Sequence, residues 1–502
     1  MAIVLISLIL VAFIALYFYL VQKNKYWQNR GVFCADGALP GVGHMLPVFC
    51  MKTTFAEYCQ KICYNNRSHS MVGIYKFMSP LLIVLEPDLV KTVLQTNFTS
   101  FHLNAAKINP DLDPLLAKHP FFSHGDKWII GRKRLTYAFS SMRLKILLES
   151  VKSVCVMLEN YVDNKLNKID KVELELRDLC SKYTTQVAAA AGFGVDGFCF
   201  DDEKADRSFR KIGKQVLEPS IRNAMIFMLI FIIPPLNKIL KMSIVPKHID
   251  RFFRTLVADL MQQRRKEKIP RNDFLHLMAE LERISDEKFD LEMLTSNIIT
   301  FFIDSYGTSS TAMSFVGFQL ANHPKVQEKL RKEVMIVLDK YDDIITYEGL
   351  KEMTYMDQVL NESMRVIPVL GALIKRCTEE CELRGSDGVV CRVEPGTEIL
   401  ISTQALHKDP RYWKDPEVFD PERFSPENKH NIEKFTFLPF SEGPRNCVGM
   451  RMAQLQIKAG LAAILRKYSL ELSPRTQVPL KMIPGTNLAS AKGGLWVFFR
   501  QL

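Results

Sequence analysis

Cys447 stands inside the stretch FLPFSEGPRNCVGMRMAQLQ, residues 437–456. Glycine and proline punctuate the segment before it, and apolar residues then recur at Met452, Leu455, Ala459 and Ala462 with helical spacing. The thiol therefore precedes a helix, where free backbone N–H groups and the helix dipole favour a negative sulfur. Most unpaired cysteines are small buried apolar residues with no chemical role. One fixed at a helix start is instead placed to act as a nucleophile or as a metal ligand, and the rest of the chain has to decide which.

Other residues have spacings that bear on chemistry. Glu362 and Arg365 lie three apart and would face each other on a helix; alone at a surface such a pair contributes a few tenths of a kcal/mol. Trp128 and Arg132, four apart, share one helical face, as do Asp304 and Thr308 in FFIDSYGTSST. Gly307, just before Thr308, costs up to ~1 kcal/mol of helix propensity, which suits a local opening that admits water. Cys59/Cys63 and Cys377/Cys381 are also spaced four apart, but no compact Cys/His knuckle accompanies either pair, which argues against structural zinc.

These residues need a scaffold, and a chain of 502 residues can bury a large core without disulfide staples. The 11 cysteines are scattered and odd in number, which fits a reducing compartment. Residues 1–21 carry no charge, about the length of a membrane-crossing helix, and Lys23, Lys25 and Arg30 follow with no acid among them. The expectation is an uncleaved anchor over 1–21, a Gly/Pro-rich linker over 22–50 and one large domain over 51–502 facing the cytosol. Strand, a turn at Ser79-Pro80, and strand are expected between Met71 and Leu85, with a helix after Pro87. Mostly helix follows from 125 to 370, then a polar, proline-rich meander, with further strands at 389–401 and at LWVFF. The fold class is mainly α with small β-sheets (α+β). The apolar run 225–236 ends at Pro-Pro and is too short to span a bilayer, so it is either a core helix or a segment dipping into the membrane surface. The formal net charge of +11 suits an anionic membrane or an acidic protein partner. The basic residues are dispersed without a recognised binding motif, so nucleic acid is not an expected partner.

Phe440, Gly443, Arg445, Cys447 and Gly449 fit F-x-x-G-x-R-x-C-x-G in full. This resembles the haem-binding loop of the cytochrome P450 family. Glu362-Ser-Met-Arg365 matches the family's E-x-x-R helix, and Pro421-Glu422-Arg423-Phe424 its P-E-R-F segment. The resemblance covers essentially the whole chain and is nearest to microsomal animal members, in particular insect enzymes that handle xenobiotics and lipophilic endogenous compounds. It makes Cys447 the axial thiolate of a haem b iron, shielded by Phe440, with Gly443 turning the loop. It makes Arg445, Trp128 and Arg132 the residues that bind the propionates. Lys375 falls where many relatives place another propionate-binding arginine, and the lysine gives up bidentate geometry. Glu362, Arg365 and Arg423 would form a buried ion network holding the cysteine loop.

The implied reaction is insertion of one oxygen atom from dioxygen into a lipophilic small molecule, since a thiolate ligand favours O–O cleavage. No G-x-G-x-x-G fingerprint appears, so electrons from NADPH would arrive through a partner, NADPH-cytochrome P450 reductase, with cytochrome b5 as a further donor. Lys133, Lys434, Arg451 and Lys458 are the expected docking residues. Location would be the endoplasmic reticulum membrane. Two other readings stand beside this one: a haem-thiolate isomerase or dehydratase acting on hydroperoxides, and a non-enzymatic haem protein that binds a ligand. Substrate-determining residues are expected in 101–124, 215–245, 300–312, 368–374 and 484–490. Where relatives carry an acid before the threonine, this chain has Gly307, and Ser305 replaces the usual glycine. Thr308 would still serve catalysis, with Asp304 as the substitute proton relay.

Overall fold

Residues Ala2–Lys23 form one continuous apolar helix in which no side chain is buried. The computed structural model describes residues 1–267, 271–285, 289–486 and 488–502. The segment after this helix does not hang free: Trp27, Val32, Ala35, Met45 and Val48 are all buried. The Trp27 indole donates to the Ile74 carbonyl at 2.9 Å. That contact requires Gly73, because a Cβ there would lie 2.2 Å from the indole ring.

Strands Met71–Lys76 and Ser79–Val84 pair antiparallel, with Lys76 opposite Ser79 and Tyr75 opposite Pro80. The turn is therefore Phe77-Met78, not Ser79-Pro80, and Phe77 takes the left-handed conformation at φ 57°. Pro80 is tolerated inside the strand because pairing on its other side, with Glu398–Ile401, begins only at Leu81. Leu373–Arg376 and Leu103–Asn104 complete this five-stranded sheet.

Among the described residues, the strand Lys171–Glu175 falls inside the expected helical stretch. It pairs with the C-terminal strand Trp496–Gln501, which Tyr468–Leu472 flanks on its other side. Charged residues alternate along KVELE, so the segment lacks the apolar run that marks a buried strand. A hairpin of Cys381–Arg384 and Val390–Val393 stands apart. Most of the remaining body is helix, and its core is crossed by two collinear helices, Leu291–Asp304 and Ser310–Asn322. Between them the backbone makes a π-helical turn over Ser305–Ser309. In Ser310–Asn322 every side chain up to Ala321 is buried. Helix Met450–Lys467 packs against this rod.

The 225–236 run divides between the two expectations. Ile226, Phe227, Leu229 and Ile230 are buried, Ile226 and Ile230 in a cluster with Ala106. Met225 and Leu236, with Ile221 before them and Ile239 and Leu240 after, are exposed.

Candidate active site

The cysteine loop is held by its own backbone. Cys447 N–H donates to the Phe440 carbonyl at 2.8 Å, and Asn446 N–H to the Gly443 carbonyl at 3.0 Å. Gly443 has φ 77°, and a Cβ there would meet the Leu94 carbonyl oxygen at 2.0 Å, so only glycine closes this turn. The helix starts at Met450 with Gly449 as its N-cap. The amides of Gly449 and Met450 reach the sulfur as expected, yet burial, and after it the Asp304 carboxylate, push the thiol up to about 11. The sulfur lines an interior cavity and is accessible from it, and burial and Asp304 there oppose the charge that the helix start favours.

That cavity has a volume of about 1370 Å³. Ordinary small-molecule sites occupy roughly 300–1,000 Å³, so a flat prosthetic group and a second ligand both have room. Each of the five expected substrate-determining segments contributes lining residues.

Trp128, Arg132, Lys375 and Arg445 line the same cavity as the sulfur. The Arg445 guanidinium lies 4.6 Å over the Trp128 ring and donates to the carbonyls of Pro120 at 3.1 Å and Ser123 at 2.9 Å. Its Nε is buried without a partner. Arg132 donates to both the carbonyl and the side-chain oxygen of Asn446, one residue before the cysteine. Lys375 Nζ reaches the Asn104 amide oxygen at 2.8 Å across a strand pair. Burial, then the neighbouring Arg132, holds Arg445 down to about 10; burial, then Arg445, brings Lys375 down to about 7. Among the described residues none of the three cations has an Asp or Glu at ion-pair distance. Uncompensated buried cations are costly unless a ligand supplies the counter-charge. A thiol on the cavity wall together with such a cation set fits an iron porphyrin carrying two carboxylates.

Glu362, Arg365 and Arg423 come together, and not at the surface. Glu362 and Arg365 are fully buried and bidentate, at 2.7 and 2.8 Å. Arg423 Nε lies 3.4 Å from Glu362, which also accepts the Asp420 N–H at 2.9 Å. Arg365 donates to the carbonyls of His407, Pro416 and Val418, so one side chain pins three points of the meander. His407 carries the link onward: its Nε2 accepts the Leu438 N–H at 2.8 Å, at the mouth of the cysteine loop. Burial, with Arg365 nearby, pushes His407 down to about 3, so it stays neutral.

On the opposite wall, Asp304 and Thr308 both face the cavity. Thr308 Oγ1 donates to the Asp304 carbonyl at 2.8 Å. The Asp304 side chain is 53% exposed, and its Oδ1 lies 3.4 Å from His119 Nε2. The π-helical turn falls where Gly307 weakens the helix, and its freed carbonyls are taken up. Gly307 O accepts from Thr311 Oγ1 at 2.8 Å and from Arg177 at 3.3 Å. Ser305, which replaces the glycine usual in relatives, places its one hydroxyl proton between Gln456 Oε1 of the cysteine helix at 3.1 Å and Thr184 O at 3.2 Å. Gln456 in turn donates to Ser309 at 2.8 Å, so the turn is bolted to the helix that follows Cys447. A Cβ at Gly307 would meet Leu217 and Leu488 at 3.1 Å each, which leaves little room for the acid that relatives place there.

The expected docking residues separate. Lys133 and Lys434 are exposed, and Arg451 is exposed but bonded to Ser141 and Tyr347. Lys458 is buried, paired with Asp357 at 2.7 Å, and cannot meet a partner. Sequence reasoning missed His119, His407, Asn446 and Gln456. Each acts on residues far away in the chain, or on backbone atoms, and neither leaves a spacing to find.

The family described as Cytochrome P450 matches residues 37–496. The chain is 32% identical to the probable cytochrome P450 6a13 of Drosophila melanogaster over 498 residues, covering 98% of this chain and 97% of that one. It is 31% identical to cytochrome P450 9e2 of Blattella germanica over 517 residues, covering 97% and 96%.

Proposed function

The chain belongs to the cytochrome P450 family, and from that premise we propose that it is a membrane-anchored monooxygenase of lipophilic small molecules, fed with electrons from NADPH by a separate reductase. Family membership makes it a haem-dependent oxidoreductase with a cysteine thiolate ligand. Cys447 is the ligand. Trp128, Arg132 and Arg445 would hold the propionates, and Lys375 would add a point charge rather than a fork. When bound, haem b supplies the activation of dioxygen, which the thiolate ligand favours.

The protein's own part is to hold, exclude and deliver. Phe440 and the Gly443 turn shield the sulfur, and the amides of Gly449 and Met450 temper its charge. Glu362, Arg365 and Arg423 hold the meander, and through it the cysteine loop, at fixed height. Asp304, which can exchange protons with cavity water, and Thr308, whose hydroxyl oxygen can accept a hydrogen bond from a water, are placed to line up the waters that deliver protons into the cavity. The exposed apolar helix Ala2–Lys23 supports anchoring in the endoplasmic reticulum membrane, and the exposed Met225 and Leu236 support a second, shallow contact. NADPH-cytochrome P450 reductase, with cytochrome b5 as a further donor, is the expected electron source, and the exposed Lys133 and Lys434 are its docking residues.

The observation that carries this reading is the set of uncompensated cations facing one cavity with the Cys447 sulfur. Its test is spectroscopic. Cys447→Ala should lose the thiolate-type absorption band of the reduced, CO-bound haem; retention of that band would place the ligand at another cysteine. NADPH consumption with a reductase, run over a panel of lipophilic compounds, then separates a monooxygenase from a haem protein that needs no electrons.

A further inference from the structure

We infer that His119 is the positioning residue that aims the Asp304 carboxylate into the cavity for proton delivery, an inference that rests on the monooxygenase reading above. His119 lies beyond the short helix Pro114–Ala117, and its side chain is only 7% exposed. Its Nδ1 accepts the Phe121 N–H at 3.0 Å. A neutral imidazole that accepts at Nδ1 carries its proton at Nε2, and Nε2 is the nitrogen 3.4 Å from Asp304 Oδ1. The tautomer is thus set by the loop backbone, and the nitrogen left with the proton is the one nearest the acid.

The loop itself is tied down. Ser296 of the rod donates to the Leu115 carbonyl at 2.7 Å, and the His119 ring packs on Phe122 at 5.5 Å. The ring therefore cannot follow a wandering carboxylate; the carboxylate settles against it. Asp304 needs that restraint. Its side chain borders open cavity, and it sits close enough to Cys447 to oppose charge on the sulfur. With Oδ1 3.4 Å from the His119 Nε2, Oδ2 remains to exchange a proton with water. The Asp304 main-chain carbonyl meanwhile orients Thr308. One residue then organises the relay at both ends, its side chain toward His119 and its backbone toward Thr308.

The test uses the full-length haem-loaded enzyme with a reductase. His119→Phe keeps a ring but removes the donor, and His119→Gln returns a donor near the Nε2 position. The fraction of NADPH electrons lost as peroxide should rise about threefold in His119→Phe, the scale of one lost hydrogen bond. It should rise as much in Asp304→Asn, no further in the double variant, and return toward wild type in His119→Gln, with KM unchanged throughout. A second readout needs no turnover. In protein labelled with ¹⁵N-histidine, reduced and CO-bound so that the iron is diamagnetic, the resonance missing from His119→Phe should show a proton on Nε2 and none on Nδ1. That resonance should move in Asp304→Asn. An unchanged peroxide fraction in His119→Phe, additive effects in the double variant, or a proton on Nδ1 would each overturn the inference while leaving the enzyme a monooxygenase. A wild type without the thiolate band or oxygenated product would take down both.

Discussion

The two walls of the cavity are built by different rules. The cysteine wall is over-determined: a turn only glycine can close, a fully buried ion pair, and an arginine and a histidine that bond carbonyls and amides across the meander. The opposite wall is a helix with one opened turn; Ser305 and Ser309 tie that turn to Gln456, while Asp304 and Thr308 border the cavity. The first wall spends its polar groups on fixing a position, and the second keeps Asp304 and Thr308 available for a proton. Rigidity at the ligand and latitude at the relay are separate demands, and the chain meets them with separate elements.

The comparison breaks most visibly at Arg365. Arg365→Leu should strand a buried carboxylate and three carbonyls, at a cost of about 3–5 kcal/mol. Thermal unfolding and haem retention should both fall sharply; a stable, fully loaded variant would show that the cysteine wall does not depend on this network. His407 tests the same wall by pH. Its folded pKa, about 3, lies below the ordinary value of about 6.5, so the unfolded chain binds the extra proton. Its contribution to stability is present above the unfolded value and is lost as pH falls toward the folded one. Between pH 7 and pH 5 the wild type should lose about 2 kcal/mol from this group. His407→Asn, less stable at neutral pH, should show a correspondingly shallower acid slope in unfolding measured across that range.

Predictions for the opposite wall are smaller. Gly307→Glu, which restores the acid of relatives, should collide with Leu217 and Leu488 and cost about 1 kcal/mol of stability. It should fail to tighten coupling between NADPH consumed and product formed; improved coupling would show that the space opens. Thr308→Ala removes only a hydroxyl at the cavity edge and should leave stability within about 0.5 kcal/mol. It should nevertheless raise peroxide release, and the wild type itself should leak more than relatives carrying the acid. Equal peroxide yields in the variant and the wild type would remove Thr308 from proton delivery.

Much of the cysteine wall was legible in the chain itself. Phe440 to Gly449 is one local turn whose residue types leave few conformations, and Glu362 with Arg365 is a pair that helical period brings face to face wherever the helix lies. Asp304 and Thr308 share a face for the same reason. The N-terminal apolar helix, the strands before Pro87 and the helical body follow from composition and period, with the hairpin turn displaced because Phe77 accepts a left-handed backbone that its residue type does not advertise.

What tertiary structure alone decided concerns partners far apart in sequence. Lys171–Glu175 becomes a strand because Trp496–Gln501 offers it an edge, and no local pattern records that. Lys458 reads as a surface charge until Asp357 and the Met353 carbonyl close over it. At Cys447 burial and the Asp304 carboxylate oppose the charge that the helix start favours, a balance between residues far apart in the chain. His119 meets Asp304 across 185 positions, and His407 meets Leu438 only because the meander folds back. Local spacing sets which side chains share a turn or a helix face, because the backbone has few conformations to choose from. Burial, field and long-range contact depend on the packing of the whole chain, and those are what separate a charged surface residue from a buried one and an idle histidine from one that holds an acid in place.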